Sequence, residues 1–222
     1  MRMCEERPQP VCSDSVFSGT ERILFPGKRV LGLTGGVGAG KSEVLKRLEK
    51  VYGAGILEAD RVCNEIILSD GPAYAPMISL LGEGIVAEDG ELDKKRIAAL
   101  IFGDPEKKKQ VNALLHPATF DEVVRRIKAS DKTLIVYESA LPDGARFGEL
   151  CESLLYVYAA EETRCRRLME NRGYSREKAE SIIRQQWSDA QFRAAADAVI
   201  TNNGSLRSMY RSVKAAMTKL GF

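Results

Sequence analysis

Between residues 35 and 42 the chain reads GGVGAGKS, and this stretch decides the predicted fold. It satisfies the pattern G-x-x-x-x-G-K-[ST] of a Walker A phosphate loop. An apolar run from Arg29 to Thr34 precedes it, and an amphipathic segment from Lys41 to Tyr52 follows it. Strand, loop and helix thus come in the order that the motif requires. A glycine turn that only caps a helix would not need a lysine and a serine in register.

The predicted loop binds phosphate mainly through its backbone, because glycines allow consecutive N–H groups to curl around an anion at a helix N-terminus. Lys41 adds a mobile charge for the β and γ phosphates, and the Ser42 hydroxyl is placed to ligate magnesium. Glu43 lies in the first helical turn, where its carboxylate has to point away from the triphosphate. The predicted nucleotide-binding residues here are Gly35, Gly36, Val37, Gly38, Ala39, Gly40, Lys41, Ser42 and Glu43.

The remaining pattern predicts an α/β protein with the three-layer fold of P-loop NTPases and a central, mostly parallel, five-stranded sheet. Nearly continuous apolar runs are typical of strands buried in parallel sheets. After the first strand they occur at Gly55 to Leu57, Thr133 to Tyr137, Leu154 to Tyr158 and Ala198 to Thr201.

The stretch of residues 61–131 is too long for a simple crossover and is predicted to be a mainly helical insertion. One of its helices should begin with Asp104 as cap and Pro105 in the first turn. Residues 1–28 lack clear periodicity and are expected to be a flexible extension to a kinase domain of residues 29–222.

Composition narrows the class of protein. The chain has 222 residues and a formal net charge of +2, so no overall field attracts nucleic acid or membrane. No apolar run serves as a signal-peptide core or reaches transmembrane length. Five scattered cysteines without a C-x-x-C pair suit a reducing cytoplasm. With a single histidine, a metal here should be magnesium bound by oxygen.

A phosphate loop alone does not distinguish kinases from GTPases or motor ATPases. The chain contains no N-K-x-D guanine motif, and one loop in a nearly neutral chain argues against a nucleic-acid motor. A small-molecule kinase is therefore favoured. Asp60 follows the second strand, where it would receive a hydroxyl proton, cap a helix from Arg61 to Leu68, or do both. Glu138 would either hold a magnesium-bound water or be an ordinary strand-end charge.

Four blocks of sequence resemble the dephospho-coenzyme A kinase family, and the likeness extends from Val30 to Leu220. The blocks are LTGGVGAGKS at 33–42, EAD at 58–60, NALLHP at 112–117 and ADAVITNNGS at 196–205. The resemblance implies transfer of the ATP γ-phosphoryl to the ribose 3′-hydroxyl of dephospho-CoA with Mg²⁺, the last step of coenzyme A synthesis. Residues 61–131 would then form the lobe for the CoA substrate, and residues 161–190 a lid.

The resemblance also implies roles for single residues. Asp60 would be the base or orienting group for the acceptor hydroxyl, with Glu58 in place of a first aspartate. His116 and Pro117 would lie on the substrate side of the cleft, although a histidine beside proline at a helix boundary is by itself more often a cap. Lys94 would contact the substrate. The turn near the adenine of ATP would consist of Asn202, Asn203 and Gly204, and the lid arginines would come from Arg164, Arg166, Arg167, Arg172 and Arg176, mostly in solvent.

Three departures from the family pattern stand out. Leu141 to Gly144 replaces a usual L-L-F-E segment, which changes the expected substrate wall. Asn171 occupies the usual position of a lid arginine, so the active arginine is assigned to Arg172 beside it. Lys94 stands where arginine is usual, which keeps the charge and loses a bidentate fork.

Two other functions are compatible with the same sequence. One is a P-loop kinase for a nucleoside or another metabolite, since the insertion defines the acceptor. The other is a module that binds ATP without kinase turnover. The expected assembly is a monomer or a weak homo-oligomer.

Overall fold

A parallel sheet of five strands runs through the centre of the protein. A computed structural model describes residues 21–140 and 146–222. The strands are β1 (Arg29–Thr34), β2 (Gly55–Glu58), β3 (Leu134–Glu138), β4 (Ser153–Tyr158) and β5 (Ala198–Thr201). They lie in the order β2-β3-β1-β4-β5, and every neighbouring pair is parallel. The predicted fold class is confirmed, and each strand ends within one residue of the apolar run that indicated it.

Helices cover both faces of this sheet. They are α1 (Lys41–Tyr52), α2 (Ala59–Ile66), α3 (Tyr74–Leu81), α4 (Lys94–Ile101), α5 (Pro105–Ala129), α6 (Phe147–Leu150), α7 (Glu161–Arg172), α8 (Arg176–Arg184), α9 (Asp189–Ala195) and α10 (Leu206–Lys219). None of the helices in the described part of the chain is both long enough and apolar enough to span a membrane.

Strand β1 is buried on both sides. Leu31 and Leu33 pack with residues of α1 and α10 on one face of the sheet. On the other face Val30 belongs to a cluster that includes Val62 of α2 and Ile127 of α5. Burial of both faces explains why the strand reads as a continuous apolar run rather than an alternating one. The result is a three-layer arrangement with helices above and below the sheet.

The chain between β2 and β3 is mainly helical. The expected cap of α5 is present, because the Asp104 carboxylate accepts a hydrogen bond from the N–H of Lys107 at 3.0 Å. Met77, Ile97 and Phe120, from three different helices of the insertion, belong to the same hydrophobic cluster as the sheet residues. The insertion therefore shares a core with the sheet and lies beside the carboxyl end of β2.

Two helix boundaries that the sequence allowed as alternatives are not found. His116 and Pro117 lie inside α5, not at its end. Proline removes one helical hydrogen bond, but burial of the next turn around Phe120 stabilises the continuous helix. Helix α2 begins at Ala59, directly after β2, so Asp60 lies in its first turn and does not cap a later helix.

The end of the predicted N-terminal extension packs against the domain. Phe25 is buried, and the N–H of Ile23 donates to the carbonyl of Glu149 at 2.8 Å. Lys28 donates to the carbonyl of Ser130. Residues 21–28 are thus held in place. Residues 1–20 and the unusual segment from Leu141 to Gly144 lie outside the described residues.

Candidate active site

The phosphate loop turns sharply from β1 into α1. Gly38 and Gly40 have φ angles of 76° and 86°, in the left-handed region that favours glycine. A Cβ atom on Gly40 would also lie 2.3 Å from Nδ2 of Asn202. Glycine is therefore required at Gly40 by both torsion and contact. Helix α1 begins at the next residue, Lys41, where its first amides have no intrahelical acceptor and the dipole favours an anion.

Two arginines of α7 hold the outer side of the loop. Arg164 Nε donates to the carbonyl of Val37 at 2.9 Å. Arg167 Nη1 donates to the carbonyls of Gly38 and Ala39, each at 3.2 Å. In a trans peptide the N–H points away from the C=O. Holding the Val37 and Ala39 carbonyls on the α7 side therefore directs the amides that follow them toward the opposite side, where phosphate would bind.

Lys41 and Glu138 form an ion pair at the base of the cleft. Lys41 Nζ lies 3.5 Å from Glu138 Oε1 and donates to the carbonyl of Gly35 at 2.9 Å. Glu138 ends β3 and is only 7 % exposed, so it is not the ordinary strand-end charge that the sequence also allowed. Burial raises the pKa of its carboxyl group, and nearby Lys41 opposes this effect. A bound triphosphate would compete with Glu138 for the lysine.

A cleft of about 890 Å³ joins the loop to α2 and the end of α7. The three expected catalytic residues, Lys41, Asp60 and Arg172, all line it, together with Ser42. Asp60 reaches the cleft because β2 ends at the carboxyl edge of the sheet, beside the phosphate loop, and passes directly into α2. Groups from distant parts of the chain thus meet around one opening.

The insertion supplies the far wall of this cleft. Lys94 of α4 lines it and donates through Nζ to Oδ1 of Asn64 at 2.6 Å. Asn64 in turn donates through Nδ2 to the backbone carbonyl of Asp60 at 2.7 Å. This chain of hydrogen bonds connects the expected substrate-binding lysine to the helical turn that carries the expected base.

Several predicted site residues are not among the described residues that line the cleft: Glu43, His116 and Pro117, and also Gly35, Ala39, Asn202, Asn203 and Gly204. Glu43 pairs with Lys46 at 2.6 Å and points away from the anion site, as its charge requires. His116 and Pro117 are exposed on α5 and are not among the described residues that line the cleft. Because both residues lie in the middle of α5, neither of them caps a helix end.

The turn after β5 supports the loop from behind. Asn202 is 5 % exposed, and its Nδ2 donates to the carbonyl of Ala39 at 2.8 Å. Asn203 accepts a hydrogen bond through Oδ1 from the N–H of Ala160 at 2.6 Å, just before α7 begins. Gly204 follows at the end of the turn. These residues, expected near adenine, therefore also tie β5 to the loop and to α7.

Sequence reasoning placed most α7 and α8 arginines in solvent and did not predict that Arg164 is buried. Arg164 is 7 % exposed and donates through Nη2 to Oε1 of Gln186 at 2.7 Å. The same oxygen accepts from the N–H of Val37 at 2.9 Å. Spacing offered one weak signal, since Arg164 and Arg167 are three residues apart and share a helix face. Neither spacing nor composition reveals which arginine is buried.

Comparison with known proteins gives the family. The family model described as Dephospho-CoA kinase matches residues 29–208, from β1 into α10. The chain belongs to the dephospho-CoA kinase family. A dephospho-CoA kinase of Leifsonia xyli subsp. xyli is 36 % identical over 191 residues, covering 84 % of this chain and 96 % of that protein. One of Carboxydothermus hydrogenoformans is 34 % identical over 193 residues, covering 86 % and 93 %.

Solved structures share this fold. The structure of TT1252 from Thermus thermophilus has a TM-score of 0.74 and 29 % identity, and the match covers 88 % of this chain and 99 % of that one. Dephospho-CoA kinase from Campylobacter jejuni has a TM-score of 0.64 and 18 % identity, with 87 % and 97 % covered, and shows the common fold. The resemblance to dephospho-CoA kinases drawn from the four sequence blocks is confirmed.

Proposed function

We propose that this protein transfers the γ-phosphoryl group of ATP to the ribose 3′-hydroxyl of dephospho-CoA, the final step of coenzyme A biosynthesis. One observation carries the proposal: in a chain of this family, Asp60 shares a single cleft with the phosphate loop. An acceptor hydroxyl beside this carboxylate would face the phosphate that the loop holds. Positioning and electrostatics then supply most of the catalysis.

The donor half of the site is the loop with its supporting side chains. The loop amides and Lys41 would bind the β and γ phosphates, with Lys41 moving from the Gly35 carbonyl and Glu138 toward the phosphates. Arg172, at the end of α7, would neutralise the transferring group as the lid closes. Asn202, Asn203 and Gly204 would lie near the adenine.

The chemistry of the cleft fits magnesium. Mg²⁺ in kinases is bound by few protein oxygens together with the phosphates of the substrate. The Ser42 hydroxyl and the Glu138 carboxylate both line the cleft, and both are hard oxygen donors. Ser42 would hold the ion, and Glu138 a water bound to it. Such an ion neutralises charge on the phosphates.

The acceptor half contains the groups that receive and orient the hydroxyl. The acceptor oxygen forms a bond to the γ-phosphorus while the bond from that phosphorus to the β-γ bridging oxygen breaks. ADP leaves with the electron pair, and the hydroxyl proton passes to Asp60 and then to solvent. Lys94 would bind an anionic part of the acceptor. His116 and Pro117 are assigned to the part of the acceptor that extends along the insertion beyond the cleft.

The cellular setting completes the proposal. Cys63, Cys151 and Cys165 are free thiols, which suits a reducing cytoplasm. The proposed assembly is a monomer or a weak homo-oligomer. The near-neutral charge leaves a small molecule, not nucleic acid, as the partner.

A coupled assay of ADP release tests the function. The purified chain is given MgATP with dephospho-CoA, with adenosine, or with no acceptor. We expect turnover that depends on dephospho-CoA and a product phosphorylated at the 3′ position. Faster turnover with adenosine or another metabolite would favour the alternative kinase. ATP binding without turnover on any acceptor would favour the binding module.

A further inference from the structure

Arg164 places a buried positive charge directly behind the phosphate loop. A Cβ atom on Gly36 would lie 2.1 Å from Nη2 of Arg164, so the guanidinium packs closely against the loop backbone. Its Nε binds the Val37 carbonyl at 2.9 Å. With 7 % exposure it is the only buried arginine among residues 21–140 and 146–222.

The polar partner of this arginine is neutral. Gln186 Oε1 accepts from Arg164 Nη2 at 2.7 Å and from the Val37 N–H at 2.9 Å. A glutamate would have the same shape, would accept the same two hydrogen bonds and would form a charge-assisted pair with the arginine. Because Gln186 also lines the cleft, a carboxylate there would face the bound phosphates as well.

No carboxylate in the described parts of the chain lies within ion-pair distance of Arg164. Other arginines of α7 and α8 differ in this respect, since Arg166 pairs with Glu170 and Arg176 pairs with Glu162. Burial lowers the pKa of Arg164, and nearby Tyr156 and Glu161 offset this effect only in part; the guanidinium stays protonated at any physiological pH. A buried charge without an ion-pair partner is costly. The protein nevertheless keeps the Arg164 charge, beside the loop that would bind the ATP phosphates.

We propose that Arg164 is a positioning residue whose unpaired charge is balanced by the ATP phosphates, and that Gln186 has to be neutral for this. Arg164 acts through the loop: it holds the Val37 carbonyl and adds a fixed positive potential behind the amides that bind phosphate. Helix α7 of the lid thus helps to form the anion site before Arg172 closes over the phosphates. This inference rests on the ATP-binding part of the proposed function.

The substitution Gln186→Glu separates this electrostatic role from a purely structural one. The glutamate keeps both hydrogen bonds and neutralises Arg164, so the ligand-free protein should melt at the same or a higher temperature. Its Kd for ATP, measured by titration calorimetry without acceptor, should rise about tenfold or more, because one unit charge is removed beside the phosphates. The increase should be smaller for AMP. Gln185→Glu adds the same charge at an exposed neighbouring position and should change the Kd less than about twofold.

An unchanged ATP affinity in Gln186→Glu would overturn the proposal, as would an equal loss for ATP and AMP. If that variant fails to fold, Arg164→Lys and Arg164→Gln give a second test. Both lose the guanidinium fork, but only the lysine keeps the charge, so it should bind ATP several-fold more tightly; equal affinities would overturn the proposal. A protein that binds ATP as expected but does not phosphorylate dephospho-CoA would refute the proposed function and leave this inference standing.

Discussion

Arg167 and Asn202 meet behind the phosphate loop and share one carbonyl group. Arg167 Nη1 and Asn202 Nδ2 both donate to the Ala39 carbonyl, at 3.2 Å and 2.8 Å. Arg167 Nη2 also donates to the carbonyl of Asn202 at 2.9 Å. One peptide of the loop is thereby held by a lid helix and by the turn after β5. The geometry of the anion site therefore depends on two segments distant in sequence.

Asn202→Ala should weaken this support without abolishing it. The Ala39 carbonyl keeps Arg167 as a donor, so we expect a loss of about 1 kcal/mol in unfolding free energy. ATP affinity should fall several-fold because the loop is less preorganised. Denaturant unfolding and titration calorimetry measure the two effects. Gln110→Ala, at an exposed position of α5, is the control, and an equal loss in both variants would argue against a special role for Asn202.

Gly36→Ala should impair ATP binding strongly. Gly36 does not have a positive φ, so the effect comes from contact alone: the new Cβ atom would lie 2.1 Å from Arg164 and displace it. We expect an increase in the Kd for ATP of at least tenfold, measured by calorimetry. Gly84→Ala is the matched control, because a Cβ atom at Gly84 meets nothing within 4 Å. Normal binding by Gly36→Ala would show that the loop tolerates displacement of Arg164.

Lys41→Ala and Asp60→Asn should each lower turnover with dephospho-CoA by about a hundredfold to a thousandfold, since each removes one preorganised charged contact. Both proteins should stay folded, because both side chains line the cleft. Lys41→Ala should be the less stable of the two, since it leaves the buried Glu138 carboxylate without its lysine partner. Steady-state kinetics gives the change, and circular dichroism checks the fold. Undiminished turnover in Asp60→Asn would falsify the role of the carboxylate.

The Mg²⁺ dependence of turnover should change when Ser42 is substituted. Turnover should stop when a chelator removes divalent cations and return when Mg²⁺ is added. Ser42→Ala should need several-fold more Mg²⁺ for half-maximal turnover, because a hydroxyl ligand is lost. Ser42→Thr keeps the hydroxyl and should need nearly the wild-type concentration. If alanine and threonine behave alike, Ser42 does not ligate the ion.

Acid should destabilise the contact between α2 and α5 through Glu122. Hydrogen bonds and charges from Arg125 and Arg126 lower the pKa of Glu122 from 4.5 to about 2. A carboxyl group with a lowered folded-state pKa stabilises the protein above its unfolded pKa and loses that contribution as the pH falls toward about 2. Arg126 also pairs with Glu65 of α2, whose pKa it lowers as well.

Glu122→Gln should therefore cost about 1 to 2 kcal/mol near neutral pH, after allowance for screening of the exposed Arg125. The difference from wild type should shrink between about pH 4.5 and pH 2. Urea unfolding across this range measures it. Glu88→Gln, at an exposed loop position, should have little effect at any pH. A difference that does not depend on pH would mean that packing, not charge, is responsible.

Much of this protein could be predicted from local sequence, for physical reasons. Backbone torsions and hydrophobic periodicity act over a few residues, so the GGVGAGKS stretch and the apolar runs were enough to predict the loop and the strands. The Asp104 cap was predicted for the same reason. Pro117 misled the interpretation of α5, because burial of the following turn outweighs the local cost of proline.

Only the tertiary structure decided how the side chains meet. Arg164 lies 127 residues from the Val37 carbonyl that it holds, and in the sequence of α7 only its spacing from Arg167 distinguishes it from its exposed neighbour Arg166. The meeting of Asp60, Lys94 and Arg172 around one cleft likewise follows from sheet order and shared core packing. Sequence by itself determined the phosphate loop and the family, because these depend on contiguous residues. Which charged side chains are buried, and which groups they contact, depends on packing between segments that are distant in sequence. A short stretch of sequence does not show that packing.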